Sequence, residues 1–197
     1  MSGAKARQAA ADLLIETFDN RRTLDEAMTV SESYSRMQGA DRGFARAMAS
    51  AALRQLGRID KGLAPFLSRP LETATPPARA LLRVGAAQAW LLGTPPHAVV
   101  SETVAAAKGW ARARSASGFL NAVLRKAVND RSHFDKAPVT AVWPDWLTEE
   151  DAGRNQFFTP VAMGHALLAE ECLRRLEYDA EAAAAAPSLT AASVILR

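Results

Sequence analysis

Apolar residues recur three and four positions apart in one segment of this chain after another, and no segment alternates in twos. The clearest instance is Gly118-Phe119-Leu120-Asn121-Ala122-Val123-Leu124-Arg125, continued by Ala127 and Val128. Phe119, Leu120, Val123, Leu124, Ala127 and Val128 make one wide apolar face at the helical period. Asn121 is expected among them, and a buried amide is tolerated only when its hydrogen bonds are satisfied. Read alone, the segment is a core helix with one polar staple.

The same period runs along the rest of the chain. Ala10, Leu13, Leu14 and Phe18 form the face of a first helix, with Lys5, Arg7 and Gln8 near its start. Arg21-Arg22-Thr23 breaks that pattern, and a second, weaker helix is predicted from about Leu24 to Met37. Gly39-Ala40-Asp41 marks the next start, with Asp41 as its N-cap. Phe44, Ala47, Met48 and Ala51 carry that face until Gly57 interrupts it, and a short helix then bears Ile59, Leu63 and Phe66. Thr75-Pro76 has the form of an N-cap followed by proline at the first helical position. The helix it opens, to about Leu92, holds Leu81, Leu82, Gly85 and Gln88 in register, and Gly85 invites close approach by another helix. Gly93-Thr94-Pro95-Pro96 ends it. A helix from about Ala98 to Ala113 turns Val100, Thr103, Val104 and Ala107 inward, and Ser115 or Ser117 caps the last helix. Short connections between amphipathic helices predict an all-α fold, a compact helical bundle over residues 4–131. A linker over 132–147, with Pro138 and Pro144 as breakers, leads to an acidic C-terminal appendage over 148–197 that is helical or irregular.

The net charge of +3 conceals two opposed regions. Residues 1–131 carry 19 Lys and Arg against 11 Asp and Glu, whereas residues 132–197 carry 5 against 10. A basic bundle suits a phosphate-bearing partner, because neutralising phosphates releases counterions. Lys5 and Arg7 open the first helix, where free backbone N–H groups already favour phosphate. Arg21 and Arg22 follow in a turn from which long cationic side chains reach outward. Arg112, Arg114, Arg125 and Lys126 form a second basic group near the last two helices. Arg54, Arg58 and Arg83 lie inside helices among apolar neighbours and are expected to serve as ion-pair or snorkelling residues.

Other chemistries find little footing. Cys172 is the single cysteine, which rules out an internal disulfide and a cysteine zinc site. His97, His133 and His165 are scattered without ligand spacing, so no metal is expected. Glu149, Glu150 and Asp151 are adjacent and diverge around a helix, as a solvated first turn does. No run of eighteen apolar residues is present to span a bilayer, and the N-terminus passes straight into an amphipathic pattern without a signal-peptide core. A cytoplasmic chain without membrane contact is the expectation.

Four segments, in order, carry a family resemblance: Leu53-Arg54-Gln55-Leu56-Gly57-Arg58-Ile59-Asp60; Ala80-Leu81-Leu82-Arg83-Val84-Gly85 with Gln88 and Trp90; Thr94-Pro95-Pro96-His97-Ala98-Val99-Val100 with Glu102-Thr103-Val104 and Lys108; and the Asn121 helix. Together they resemble the NusB-like domain, and more narrowly its version at the N-terminus of the RsmB/Sun (Fmu) ribosomal-RNA cytosine-C5 methyltransferases. The resemblance covers about residues 5–131 and implies a helical RNA-binding module with rRNA as its partner. It also puts Lys5, Arg7, Arg21 and Arg22 in the part with which NusB proteins grip single-stranded RNA, although this chain is less arginine-dense there. Trp143-Pro144-Asp145-Trp146-Leu147 resembles the segment that leads toward the methyltransferase's catalytic part.

In that family a cysteine thiolate adds to the pyrimidine, a second cysteine serves product release, and S-adenosylmethionine is the donor. Cys172 stands in Glu171-Cys172-Leu173, where carboxylates raise a thiol pKa, and the family's Pro-Cys context is missing. No Gly-x-Gly occurs, and the 66 residues after 131 are too few for a doubly wound catalytic domain. The expectation is therefore a substrate-positioning part without catalytic residues or cofactor of its own. S-adenosylmethionine would belong to the full-length family enzyme, and a separate methyltransferase catalytic domain is a candidate partner. Asn155-Gln156-Phe157-Phe158-Thr159-Pro160 resembles the element opening adenine-N6 DNA methyltransferase domains, but their Asn/Asp-Pro-Pro-aromatic motif is absent. Two alternatives remain open at this level. One is a NusB-type transcription antitermination factor acting with a small-subunit ribosomal protein; the other is a protein-interaction module, without RNA activity, that uses Phe157 and Phe158.

Overall fold

A computed structural model describes residues 3–142. The expectations concerning Trp143 to Leu147, the 148–197 appendage, Phe157, Phe158, His165 and Cys172 fall outside the described residues. Every regular element within them is helical: α1 (Gly3–Phe18), α2 (Leu24–Val30), α3 (Glu32–Ser35), α4 (Gly39–Arg54), α5 (Leu56–Leu63), α6 (Pro76–Trp90), α7 (Pro96–Gly109), α8 (Ser117–Ala127) and α9 (Ser132–Lys136), joined by short 3₁₀ turns.

Two helices organise the bundle. α1 buries Ala6, Ala9, Ala10, Leu13 and Leu14. Its small side chains let α4, α6 and α7 all pack against it. α6 is apolar almost all round and buries Leu81, Leu82, Val84, Ala87 and Trp90, as a helix at the centre of a core must. Its start is as expected, with Thr75 extended at the N-cap and Pro76 first in the helix, although Thr75 makes no side-chain cap bond. Gly85 is the close-approach point, because a Cβ there would stand 2.7 Å from Leu124 Cδ2 of α8. Arg83 is structural: its guanidinium donates to both Asp60 oxygens, at 2.9 and 2.7 Å, and lies over the Phe18 ring. Arg58 lies over Phe134, whereas Arg54 is exposed.

Several local expectations are corrected. The single helix from Leu24 to Met37 is two, because the extended backbone of Ser31 (φ −71°, ψ 111°) ends α2 while its hydroxyl accepts the Tyr34 N–H and opens α3. α4 begins at Gly39 after Gln38, and Asp41 lies in its first turn rather than at the cap. The break between α4 and α5 falls at Gln55 (φ −122°, ψ 25°), and Gly57 sits inside α5. α7 runs from Pro96 to Gly109 only, and Ala116 rather than Ser115 or Ser117 occupies the α8 N-cap position. Within residues 132–142, where a linker was expected, Phe134, Ala137 and Ala141 are buried. Phe134 of α9 is 1% exposed and stacks on Trp90 with centroids 5.1 Å apart. Trp90 in turn donates its Nε1–H to the Ala127 carbonyl at 3.1 Å.

Candidate nucleic-acid interface

The α7–α8 hairpin carries half of the eight candidate cations, Arg112, Arg114, Arg125 and Lys126, and adds Lys108, which the sequence had not singled out as an RNA contact. From Thr103 through Asn129 the sequence holds Lys108, Arg112, Arg114, Arg125 and Lys126 and no carboxylate at all. All five side chains are exposed. Arg112 lies over the Trp110 ring at 5.8 Å, which orients a long side chain on a buried aromatic base. Arg114 donates its Nε–H to the Lys108 carbonyl at 3.0 Å, so it sits at the C-terminal end of α7 beside the Lys108 backbone. Arg125 and Lys126 stand in the last turn of α8, where cations also complement the helix dipole. Neither forms an ion pair with a described residue.

The α1 group divides. Lys5 is exposed at the start of the helix. Arg7 is not on the surface: it is 4% exposed, donates to the Gly3 carbonyl at 2.9 Å and lies over Phe44. Burial lowers its pKa, and the Glu102 carboxylate of α7 opposes that fall. Arg7 thus ties α1 to α7 and α4. Arg21 is exposed with a left-handed backbone (φ 53°), while Arg22 is engaged with Glu16 at 3.3 Å. Asp12, between these groups on α1, has its pKa raised by burial; the Ser33 hydroxyl and Arg112 pull it down, and Glu16 pushes it up. The structure therefore brings Arg112 within electrostatic reach of α1, leaves Lys5 and Arg21 free at different parts of that helix and turn, and removes Arg7.

Two residues on α8 depart from the sequence expectation. The buried face is narrower than six residues, comprising Leu120, Val123, Leu124 and Ala127. Phe119 and Asn121 lie about 100° to either side of it on the helical wheel. Phe119 is 37% exposed, next to the basic turn. Asn121 is half-buried at the edge of a groove between α7 and α8, and its side-chain amide bonds to no described residue. The groove has a volume of 590 Å³ and takes Val100, Val104 and Lys108 from α7 and Arg125 and Val128 from the α8 side. Val100 and Val104 are half-exposed there, whereas Val99 and Thr103 take the inward positions. His97 lies at the Pro96 end. His133 packs edge-on against Phe66. Among the described residues no His, Cys, Asp and Glu cluster gathers to hold a metal. No described helix is long and apolar enough to cross a membrane.

Comparison with known proteins agrees with this architecture. A ribosomal RNA small subunit methyltransferase B from Xanthomonas campestris pv. campestris is 36% identical over 153 residues, 76% of this chain and 33% of that protein. A transcription antitermination protein NusB from Alkalilimnicola ehrlichii is 37% identical over 92 residues, 45% of this chain and 49% of that one. This chain spans about a third of the length of the methyltransferase relatives it matches. In fold it is similar to a chain in the crystal structure of antitermination factors NusB and NusE in complex with dsRNA, with a TM-score of 0.56 at 23% identity, covering 64% of this chain and 95% of that chain. The NusB family profile matches residues 4–129, which take in α1 through α8, and the chain belongs to the NusB family.

Proposed function

We propose that this bundle binds RNA and positions ribosomal RNA for methylation carried out by a catalytic domain outside the described residues. The observation that carries the reading is the α7–α8 hairpin, which has five exposed cations and no carboxylate between Thr103 and Asn129. Arg112, Arg114, Arg125 and Lys126 meet backbone phosphates there, and Lys5 and Arg21 extend the contact along α1 and the turn after it. Such contacts fix register and orientation without reading sequence. Similarity to the small subunit methyltransferases supports rRNA as the RNA it meets. S-adenosylmethionine finds no matching cradle in the described residues, which are helices and short turns without a Gly-x-Gly turn. On this reading the donor is held by the catalytic domain, and the bundle's part is to hold the RNA.

The test is a titration of the full chain with labelled small-subunit rRNA fragments and a scrambled control at low and high salt. Binding that weakens steeply with salt, and is lost in Arg112→Ala/Arg114→Ala, supports the reading; absence of binding at low salt overturns it. Similarity to NusB antitermination proteins supports a second reading, action with a small-subunit ribosomal protein. Its test is co-purification of that protein.

A further inference from the structure

On its outer side α7 leaves Val100 and Val104 half-exposed. Val100 and Val104, four apart on α7, line a groove with Val128 at the end of α8. The rims of the groove are charged in one sense only: Lys108 rises from α7, Arg125 from α8, and no carboxylate lines it. Asn121 also lines the groove, and its amide carries two donors and an acceptor and bonds to no described residue. An apolar floor, paired cationic rims and one free amide match the three parts of a nucleotide: a base face, flanking phosphates and a base edge. The groove also joins the basic turn, because Arg114 is hydrogen-bonded to the carbonyl of the same Lys108 whose side chain forms one rim.

From this juxtaposition we infer that the α7–α8 groove is a nucleotide-holding subsite on a single RNA strand. Lys108 and Arg125 grip consecutive phosphates, Val100, Val104 and Val128 take one face of an unstacked base, and Asn121 hydrogen-bonds that base's edge. This rests on the RNA-binding reading above and adds to it a place where base identity is sensed. An aliphatic floor supplies less stacking than an aromatic one, so discrimination falls to the Asn121 amide. A duplex cannot insert a base here without unpairing it, so single strands are preferred.

The experiment uses the full chain and short labelled single-stranded homopolymers of each base, with a hairpin duplex for comparison. Wild type is expected to prefer one homopolymer by about fivefold, the discrimination one amide hydrogen bond supplies. Asn121→Leu is expected to erase that preference while retaining salt-dependent binding, and Asn121→Asp to weaken all four by placing a negative charge between phosphates. Lys108→Ala/Arg125→Ala is expected to lower the slope of log K against log salt by about 1.4, since each phosphate contact on a single strand contributes about 0.7. Thermal melts of each variant at wild-type temperature separate lost binding from lost folding. If these groove variants keep the wild-type preference and slope while Arg112→Ala/Arg114→Ala loses binding, the subsite is overturned and the RNA reading stands. If groove variants keep RNA binding but lose capture of an acidic helical peptide that wild type retains, the groove serves a protein instead. If wild type binds no RNA at low salt, both readings fall.

Discussion

Asp12 shows at the scale of one residue how packing sets a charge against its surroundings. Burial raises its pKa above the unfolded value, so the folded protein holds the Asp12 proton more tightly than the unfolded chain does. A carboxyl shifted in this direction contributes stability below its unfolded pKa and loses it as pH rises through the folded value. At neutral pH the ionised Asp12 is therefore a cost. Asp12→Asn, which can still accept from Ser33, is expected to raise the melting temperature at pH 7, with the gain vanishing in acid. Arg83 and Asp60 present the opposite case, a bidentate pair whose side chains are 10% and 23% exposed. Asp60→Asn leaves the guanidinium partly buried without its counter-charge, and urea unfolding is expected to show a loss of about 3 kcal/mol. Replacing both partners by apolar residues of similar size is expected to recover much of that loss. The inward role of Arg83 was legible in its apolar neighbours. That of Arg7 was not, because the signal lies in Phe44 and Glu102, far away in sequence.

At the scale of elements, helix existence followed from the apolar period and helix ends from local chemistry that the period does not report. Thr23 and Glu26 form a reciprocal capping box, with Thr23 N–H to Glu26 at 2.8 Å and Glu26 N–H to Thr23 Oγ1 at 3.3 Å, which fixes the start of α2. The pattern T-x-x-E was there to be read; the extended Ser31 that splits the following helix was not. α9 is the larger miss. Its five residues are too short to announce a helix, and it is stable because Phe134 inserts against Trp90 beneath Arg58. Phe134→Ala is expected to cost about 3–4 kcal/mol, measured by denaturant unfolding, and ending the chain at residue 131 to cost at least as much. A loss below about 1 kcal/mol would return 132–142 to the status of a linker.

For the molecule as a whole the testable quantity is the salt dependence of RNA binding. If Lys5, Arg21, Lys108, Arg112, Arg114, Arg125 and Lys126 each meet one phosphate of a single strand, log K falls against log salt with a slope of about −4.9. A slope near zero in filter-binding or anisotropy data would dissociate the basic hairpin from the RNA. The amino-acid sequence alone determined the all-helical class, the α6 start at Thr75-Pro76, the close approach at Gly85 and the basic character of the first two-thirds of the chain. Those features are local, written in period, turn residues and charge count, and they hold however the helices are arranged. Only the tertiary structure decided which cations face solvent, that Asn121 leaves the apolar face for a groove, and that residues beyond 131 complete the core. A residue's exposure depends on which neighbour covers it, and that neighbour is chosen by packing between helices distant in the chain.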